Sequence, residues 1–267
     1  MIKHIAILAF VEERFKAIHQ LSHKIVKEFN ADDIHKFRLE VKNLRAFLRL
    51  LDEEKEINKP LIPKQLKTFY GYVAIIRNIQ LHRHNLFKYI TDYAIELPET
   101  YIQIIDDEKK YWEREATDLM ADNSFEENEN EIIKQLPDNL QKSTAKKFVE
   151  KKLHELKEQL KDVKDDKAIH TMRKILKDIL YTWDFIDIDD LPETISKKED
   201  LKRITALLGD FRDECIQIEF LSDEYLSKIT DNTEKITLIQ MKEQFMRQKK
   251  IILQQLIYSF NKINEKL

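Results

Sequence analysis

The chain of 267 residues carries 46 Lys and Arg against 49 Asp and Glu, so its overall field recruits no polyanion and any anion site has to be assembled locally. With 42% apolar residues it can bury a sizeable core, which argues against disorder, and two glycines and five prolines leave few of the turn signals a β fold needs. The composition reads as all-α, and the one cysteine, Cys215, excludes an internal disulfide or a CxxC-type site, which fits a reducing cytoplasm with Cys215 as a small apolar filler.

Helical periodicity predicts a first series near 3–29, 33–53, 61–92 and 98–122, broken at "NADD", "EINKPLIP" and "ELPET". The run "IAILAF" in the first of these is too short to span a bilayer and passes into the charged "VEERFK", so neither a signal peptide nor a membrane span is expected. After the acidic stretch "DNSFEENENE", read as a linker, a second series follows near 139–164, 167–187, 193–229 and 233–265.

The second predicted helix contains "IHKFRLEVKNLRAFLRLL", residues 34–51. At 100° per residue His35, Arg38, Lys42, Arg45 and Arg49 fall within an arc of roughly 80°, a row about 21 Å long that suits several successive phosphates better than one. Ile34, Phe37, Val41, Leu44, Leu48 and Leu51 form the apolar arc beside it. Like charges at these spacings repel, and the acids Glu40 and Asp178 are expected on other faces, leaving the repulsion for an anion to relieve.

A shift of 135 residues lays "IHKFRLEVK" over "IHTMRKILK", so that His35, Arg38 and Lys42 meet His170, Arg173 and Lys177, while Lys174 widens the second row. The same ungapped shift sets Lys67 on Lys202, Arg77 on Arg212 and Asn78 on Asp213. A single cationic stripe is ordinarily a solvated face. Two on one offset predict a duplicated four-helix unit, repeat 1 about 1–122 and repeat 2 about 139–267 within one domain of 1–267, whose rows face each other between the halves.

The pattern H-x-x-R-x-x-x-K/R-x-x-x-R, followed some forty residues later by L-G-x-x-R-D and occurring twice, resembles the CHAD family, the conserved histidine α-helical domain. The first motif is matched at His35, Arg38, Lys42 and Arg45, the second at His170, Arg173, Lys174, Lys177 and Tyr181, and "LGDFRD" at Gly209, Arg212 and Asp213. Asn43 and Leu180 stand where members often have Arg, and "VAIIRN" puts Ala74 and Asn78 in place of the Gly and Asp, so that the copy around Arg77 is expected to contribute less. The resemblance implies two pseudo-symmetric four-helix bundles around a central basic cavity that binds inorganic polyphosphate in the cytoplasm, often at polyphosphate granules. It implies binding rather than catalysis, with no cofactor.

On that reading Arg38, Arg45, Arg49, Arg77, Arg173 and Arg212 offer planar forks to phosphate oxygens, and Lys42, Lys174, Lys177 and Lys202 add compact charge. Asp213, whose own charge repels the ligand, reads as an orienting partner, as does Tyr181. His35 and His170 are open to three readings: neutral donors to phosphate, cations stabilised by the anion, or packed structural residues. The competing readings are a metal-dependent phosphohydrolase or phosphotransferase, which needs clustered carboxylates near the row, and a nucleic-acid binder, against which the acidic balance counts.

Other signals carry little. No GxxxxGK[ST] loop is present, and "EKEINK" at 54–59 has Asn58 where a triphosphate-tunnel signature needs lysine. His82 and His84 point about 200° apart on a helix and do not share a metal. Phe69, Tyr70, Tyr72, Trp112, Trp183 and Phe211 read as core packing, and the basic "AKKFVEKKL" at 145–153 as a solvated face.

Overall fold

A computed structural model describes residues 1–53, 62–121, 126–163 and 165–265. The first four helices are α1 (His4–Glu28), α2 (Ala31–Asp52), α3 (Lys64–Tyr93) and α4 (Glu99–Ala121), followed by a short α5 (Glu126–Lys134). The second series is α6 (Lys142–Gln159), α7 (Asp166–Tyr181), α8 (Lys198–Phe220), α9 (Asp223–Leu226) and α10 (Asn232–Asn264). Strands β1 (Ile2–Lys3) and β2 (Asn139–Leu140) pair antiparallel and tie the two series at their starts. No described helix is long and apolar enough to cross a membrane.

The 135-residue offset recurs in space. α2 begins at Ala31 and α7 at Asp166, and both starts are set by the side chain one residue earlier. Asn30 accepts from the backbone N–H of Asp32 at 2.8 Å, and Asp165 accepts from that of Ala168 at 3.0 Å. Each cap supplies an acceptor that the first turn of a helix otherwise lacks.

α2 is an interior helix. Its expected apolar arc, Ile34, Phe37, Val41, Leu44, Leu48 and Leu51, is buried, and so are Ala46, Phe47 and Leu50 on the other flank of the basic row. The row is therefore bordered on both sides by packed surface. In α7 the expected Ile169, Met172, Leu176 and Ile179 are buried, while Trp183 lies beyond the helix in a 3-10 turn.

Three predicted elements differ. The helix expected over 167–187 stops at Tyr181: the Thr182 hydroxyl donates to the Asp178 carbonyl at 2.9 Å, and the chain continues through 3-10 turns at 183–185, 188–190 and 193–195. The helix expected over 193–229 starts at Lys198 and breaks after Phe220, and the short α9 begins after Ser222, which occupies its N-cap position without a side-chain hydrogen bond. The stretch read as a linker contains α5, held by Ile132 in the core and by a 2.6 Å pair between His19 Nε2 and Glu129. "EKEINK" and residues 122–125 lie outside the described residues.

The apolar residues gather in three clusters. One joins α1 and α2 with the first half of α3 and α5, and a second joins α6, α7 and α8 with the last third of α10. The third packs the later part of α3 and the start of α4 against the end of α8 and the early part of α10.

At the heart of the third cluster His82 is fully buried, its Nδ1 2.6 Å from Gln217 Oε1 and its Nε2 2.7 Å from the Tyr101 hydroxyl. Its ring stacks on Phe220 at 4.7 Å. His82 and Gln217 are 135 residues apart, so positions equivalent under the offset touch each other. His82 thus serves packing, and His84 is exposed.

Burial pushes the imidazole of His82 down to about 4, from an ordinary value of 6.5, with the Gln217 hydrogen bond opposing that shift. The unfolded chain gains this proton near 6.5, so the stability His82 contributes is complete above that pH and is lost as pH falls from 6.5 towards 4. The ring resonances of His82 are expected not to titrate between pH 8 and 5 by NMR. His82→Ala removes both hydrogen bonds and leaves Gln217 buried, and is expected to cost about 3 kcal/mol in urea unfolding.

Candidate functional site

The site forms where α2 packs against α7 and α3 against α8. Lys42 of α2 lies among Arg38 of its own helix, Arg173 and Lys177 of α7, and Asp213 of α8. The two cationic rows therefore meet, and they meet at equivalent residues, Lys42 and Lys177. Burial first, then these three cations, pull the Lys42 amine down to about 7, with Asp213 opposing them. Burial and then Arg173 lower Lys177. Neither Lys42, Lys177, Arg38 nor Arg173 has an ion pair within 4.0 Å among the described residues.

Protein groups aim these cations. Arg38 donates from Nη1 to the Ala74 carbonyl at 3.3 Å and stands 5.5 Å from the centre of the Tyr70 ring. Lys177 stands 5.7 Å from the centre of the Tyr181 ring. Burial raises the Tyr181 phenol to about 12, against the pull of Arg173 and Arg38 and with Tyr70 reinforcing it, so the two tyrosines border the same cationic centre. The Tyr181 phenol therefore remains a protonated donor at neutral pH.

Asp213 has accessible surface yet is crowded by protein, the signature of a residue lining a concave wall. Burial raises its carboxyl, while Arg173, Arg38 and Lys42 draw it back down. It forms no ion pair within 4.0 Å among the described residues, so it sits as a shared counter-charge to several cations instead of orienting one.

The two wings differ. In the first, Arg77 and His35 are neighbours, and Arg77 is lowered by burial and Arg38 and supported by Asp32 and Asp213. In the second, His170, Arg173 and Arg212 line a cleft of about 450 Å³ between α7 and α8. There His170 Nδ1 and Arg173 Nε are buried with no hydrogen-bond partner. Burial lowers both His35 and His170, and the neighbouring Arg and Lys side chains lower them further.

Several expected residues are placed otherwise. Arg49 is not a free end of its row, because it pairs with the buried Asp178 of α7, whose second oxygen lies 3.3 Å from Lys152. Asp178 is thus not on an idle face: it neutralises the far end of the row and joins α2, α6 and α7. Arg212 pairs with Glu219 at 2.9 Å, whereas Arg77, from the copy expected to contribute less, has no such pair within 4.0 Å among the described residues. The position equivalent to Glu219 is His84, which explains the difference.

Arg45 is half-buried on the row. Lys174 is exposed beside His170. Lys202 is exposed near the start of α8, ten residues or about 15 Å along the helix from Arg212, and is not among the charged neighbours of the central group. The basic run 145–153 is largely neutralised, Lys146 by Asp190, Lys151 by Glu53 and Lys152 by Glu155 and Asp178.

Three participants take roles that sequence reasoning missed. Tyr70, expected as core packing, and Ala74, expected only as a departure from the Gly of the second motif, both meet Arg38, the first through its ring and the second through its carbonyl. Glu214, one residue beyond Asp213, has a buried oxygen without a hydrogen-bond partner, and burial with Asp213 and Asp210 raises it to about 7. The spacing of Asp210, Asp213 and Glu214 could have flagged that repulsion. No group of three or more His, Cys, Asp or Glu side chains disposed to hold a metal occurs among the described residues.

A family model described as the CHAD domain matches residues 9–222. Among solved structures the chain is similar to the CHAD domain from the plant Ricinus communis, a crystal structure, with a TM-score of 0.72 and 12% identity over 98% of this chain and 92% of that chain. No curated protein matches the chain. At that identity the likeness speaks to the fold alone.

Asp178→Ala strands Arg49 and Lys152 without their shared carboxylate. The expected result is a loss of about 1–3 kcal/mol in denaturant unfolding, discounted for the exposure of Arg49. Glu219→Gln, on an exposed side chain, is expected to leave stability within about 0.5 kcal/mol of the parent.

Proposed function

We propose that this chain, which belongs to the CHAD domain family, binds inorganic polyphosphate between α2 and α7 as a non-catalytic module. The observation that carries this reading is the convergence of Arg38, Lys42, Arg173 and Lys177 on one another from two packed helices with no ion pair of their own. Folding leaves that repulsion in place, and a polyanion relieves it. Arg38, Arg77 and Arg173 form the phosphate-facing forks, Lys42 and Lys177 supply field at the centre, and Arg45, Lys174 and Arg212 extend the row at the margins. Arg49 and Lys202 act outside this set, the first as a structural pair and the second as surface charge.

The duplicated organisation supports a linear ligand. Two rows related by the 135-residue offset present the same spacing to a polymer, and a phosphate chain, unlike a nucleic acid, offers nothing but backbone charge. The family association with polyphosphate favours the same ligand. This reading assigns the protein to the cytoplasm, at polyphosphate granules where these exist.

Titration with linear polyphosphate of defined length tests it. Binding is expected to be saturable, with a log–log salt slope of about −4 if roughly six phosphates are neutralised. Arg38→Ala with Arg173→Ala is expected to weaken it at least about a hundredfold. Because His35 and His170 are held low by burial and by neighbouring cations, a bound polyanion raises them, and affinity is expected to climb as pH falls below about 6.5, the ordinary imidazole value. Displacement by RNA of matched charge at equal concentration would instead identify a general polyanion binder, and phosphate release in the presence of Mg²⁺ would identify an enzyme.

A further inference from the structure

Lys42 and Lys177 meet across the α2–α7 contact, with Arg38 one turn before the first and Arg173 one turn before the second. Four like charges on two packed helices repel strongly where protein displaces water. Guanidinium groups cannot shed a proton near neutral pH, and an ammonium can. The relief therefore falls on a lysine. Lys177 retains an aromatic ring beneath its amine, whereas Lys42 has no ring or carboxylate in contact among the described residues.

Resting on the polyphosphate reading above, we propose that the empty site holds one proton fewer than the occupied one, the missing proton belonging to Lys42, so that a phosphate chain brings a proton in as it binds. The step is a protonation: the Lys42 amine takes a proton from the buffer and becomes an ammonium paired with phosphate oxygen. Burial and the neighbouring cations agree with this, placing the empty-site amine near 7.

The surroundings of Lys42 are accounted for element by element. α7 presents Arg173 and Lys177, and α8 presents Asp213. The charge that α3 brings nearby, Arg77, lies beside His35. α1 meets α2 through the Arg14–Glu40 pair, on another face, and α6 brings Lys152 to Asp178, two turns further along. Glu214 is the second group able to gain a proton, since it also stands near 7 in the empty site.

Calorimetry of defined-length polyphosphate at pH 8 in Tris and in HEPES reads the linked proton directly. The expected result is uptake of about one proton per chain, and a roughly fivefold gain in affinity from pH 8 to pH 7. Lys42→Arg, which keeps the charge but cannot lose it, is expected to bind with little uptake, while Glu214→Gln keeps most of it. Buffer-independent heat in the parent, or full uptake in Lys42→Arg, overturns the proposal. Amine labelling of the unliganded parent gives a check that needs no variant: Lys42 reactivity should level off above about pH 8 while exposed lysines keep gaining, and a Lys42 profile parallel to theirs overturns it. Failure of the parent to retain polyphosphate in equilibrium dialysis removes the polyphosphate reading and this inference together, whereas binding without proton linkage removes the inference alone.

Discussion

Two helices of like charge are packed against each other, and most of the other features follow from that constraint. α2 is buried on both flanks of its basic row, so the middle of the row, Arg38, Lys42 and Arg45, is half-buried while His35 and Arg49 at its ends reach solvent. α7 delivers a second row to the same place. The fold tolerates this because the compensating charge is put at the edges: Asp178 clamps Arg49 and Lys152 at one end, and Asp213 stands within the field of four cations without closing on any of them. Buried charges need partners, and here the central ones have only a distant partner. That is a poor arrangement for stability and a good one for holding an anion.

The frame that keeps these helices together lies away from the charge. The third apolar cluster joins α3 and α4 to α8 and α10, and the His82–Gln217–Tyr101 network sits within it. A fully satisfied buried network of this kind is rigid and intolerant of substitution. Together with the β1–β2 pair at the chain starts, it fixes the separation of the two rows without using any residue of the rows themselves.

The two halves are not electrostatic copies. Glu219 neutralises Arg212, while the equivalent of Glu219 in the first half is His84, and Arg77 keeps its charge available. The cleft beside His170 is correspondingly the more zwitterionic wing. The Arg77 side of the site therefore lacks, among the described residues, the ion pair that neutralises Arg212.

The sequence by itself determined the helical class, the positions of nearly all the long helices, the two cationic rows and the offset that relates them, because helix periodicity and repeated residue types are local properties. It also singled out His35, Arg38, Lys42, Arg173 and Lys177 as neighbours in kind. Contacts between distant elements were decided only by the tertiary structure. α5 exists because Ile132 and Glu129 find partners, and Arg49 is taken by Asp178 from 129 residues away. Tyr70 and Glu214 gain their roles from burial, and burial depends on which surfaces meet, which no single helix can specify.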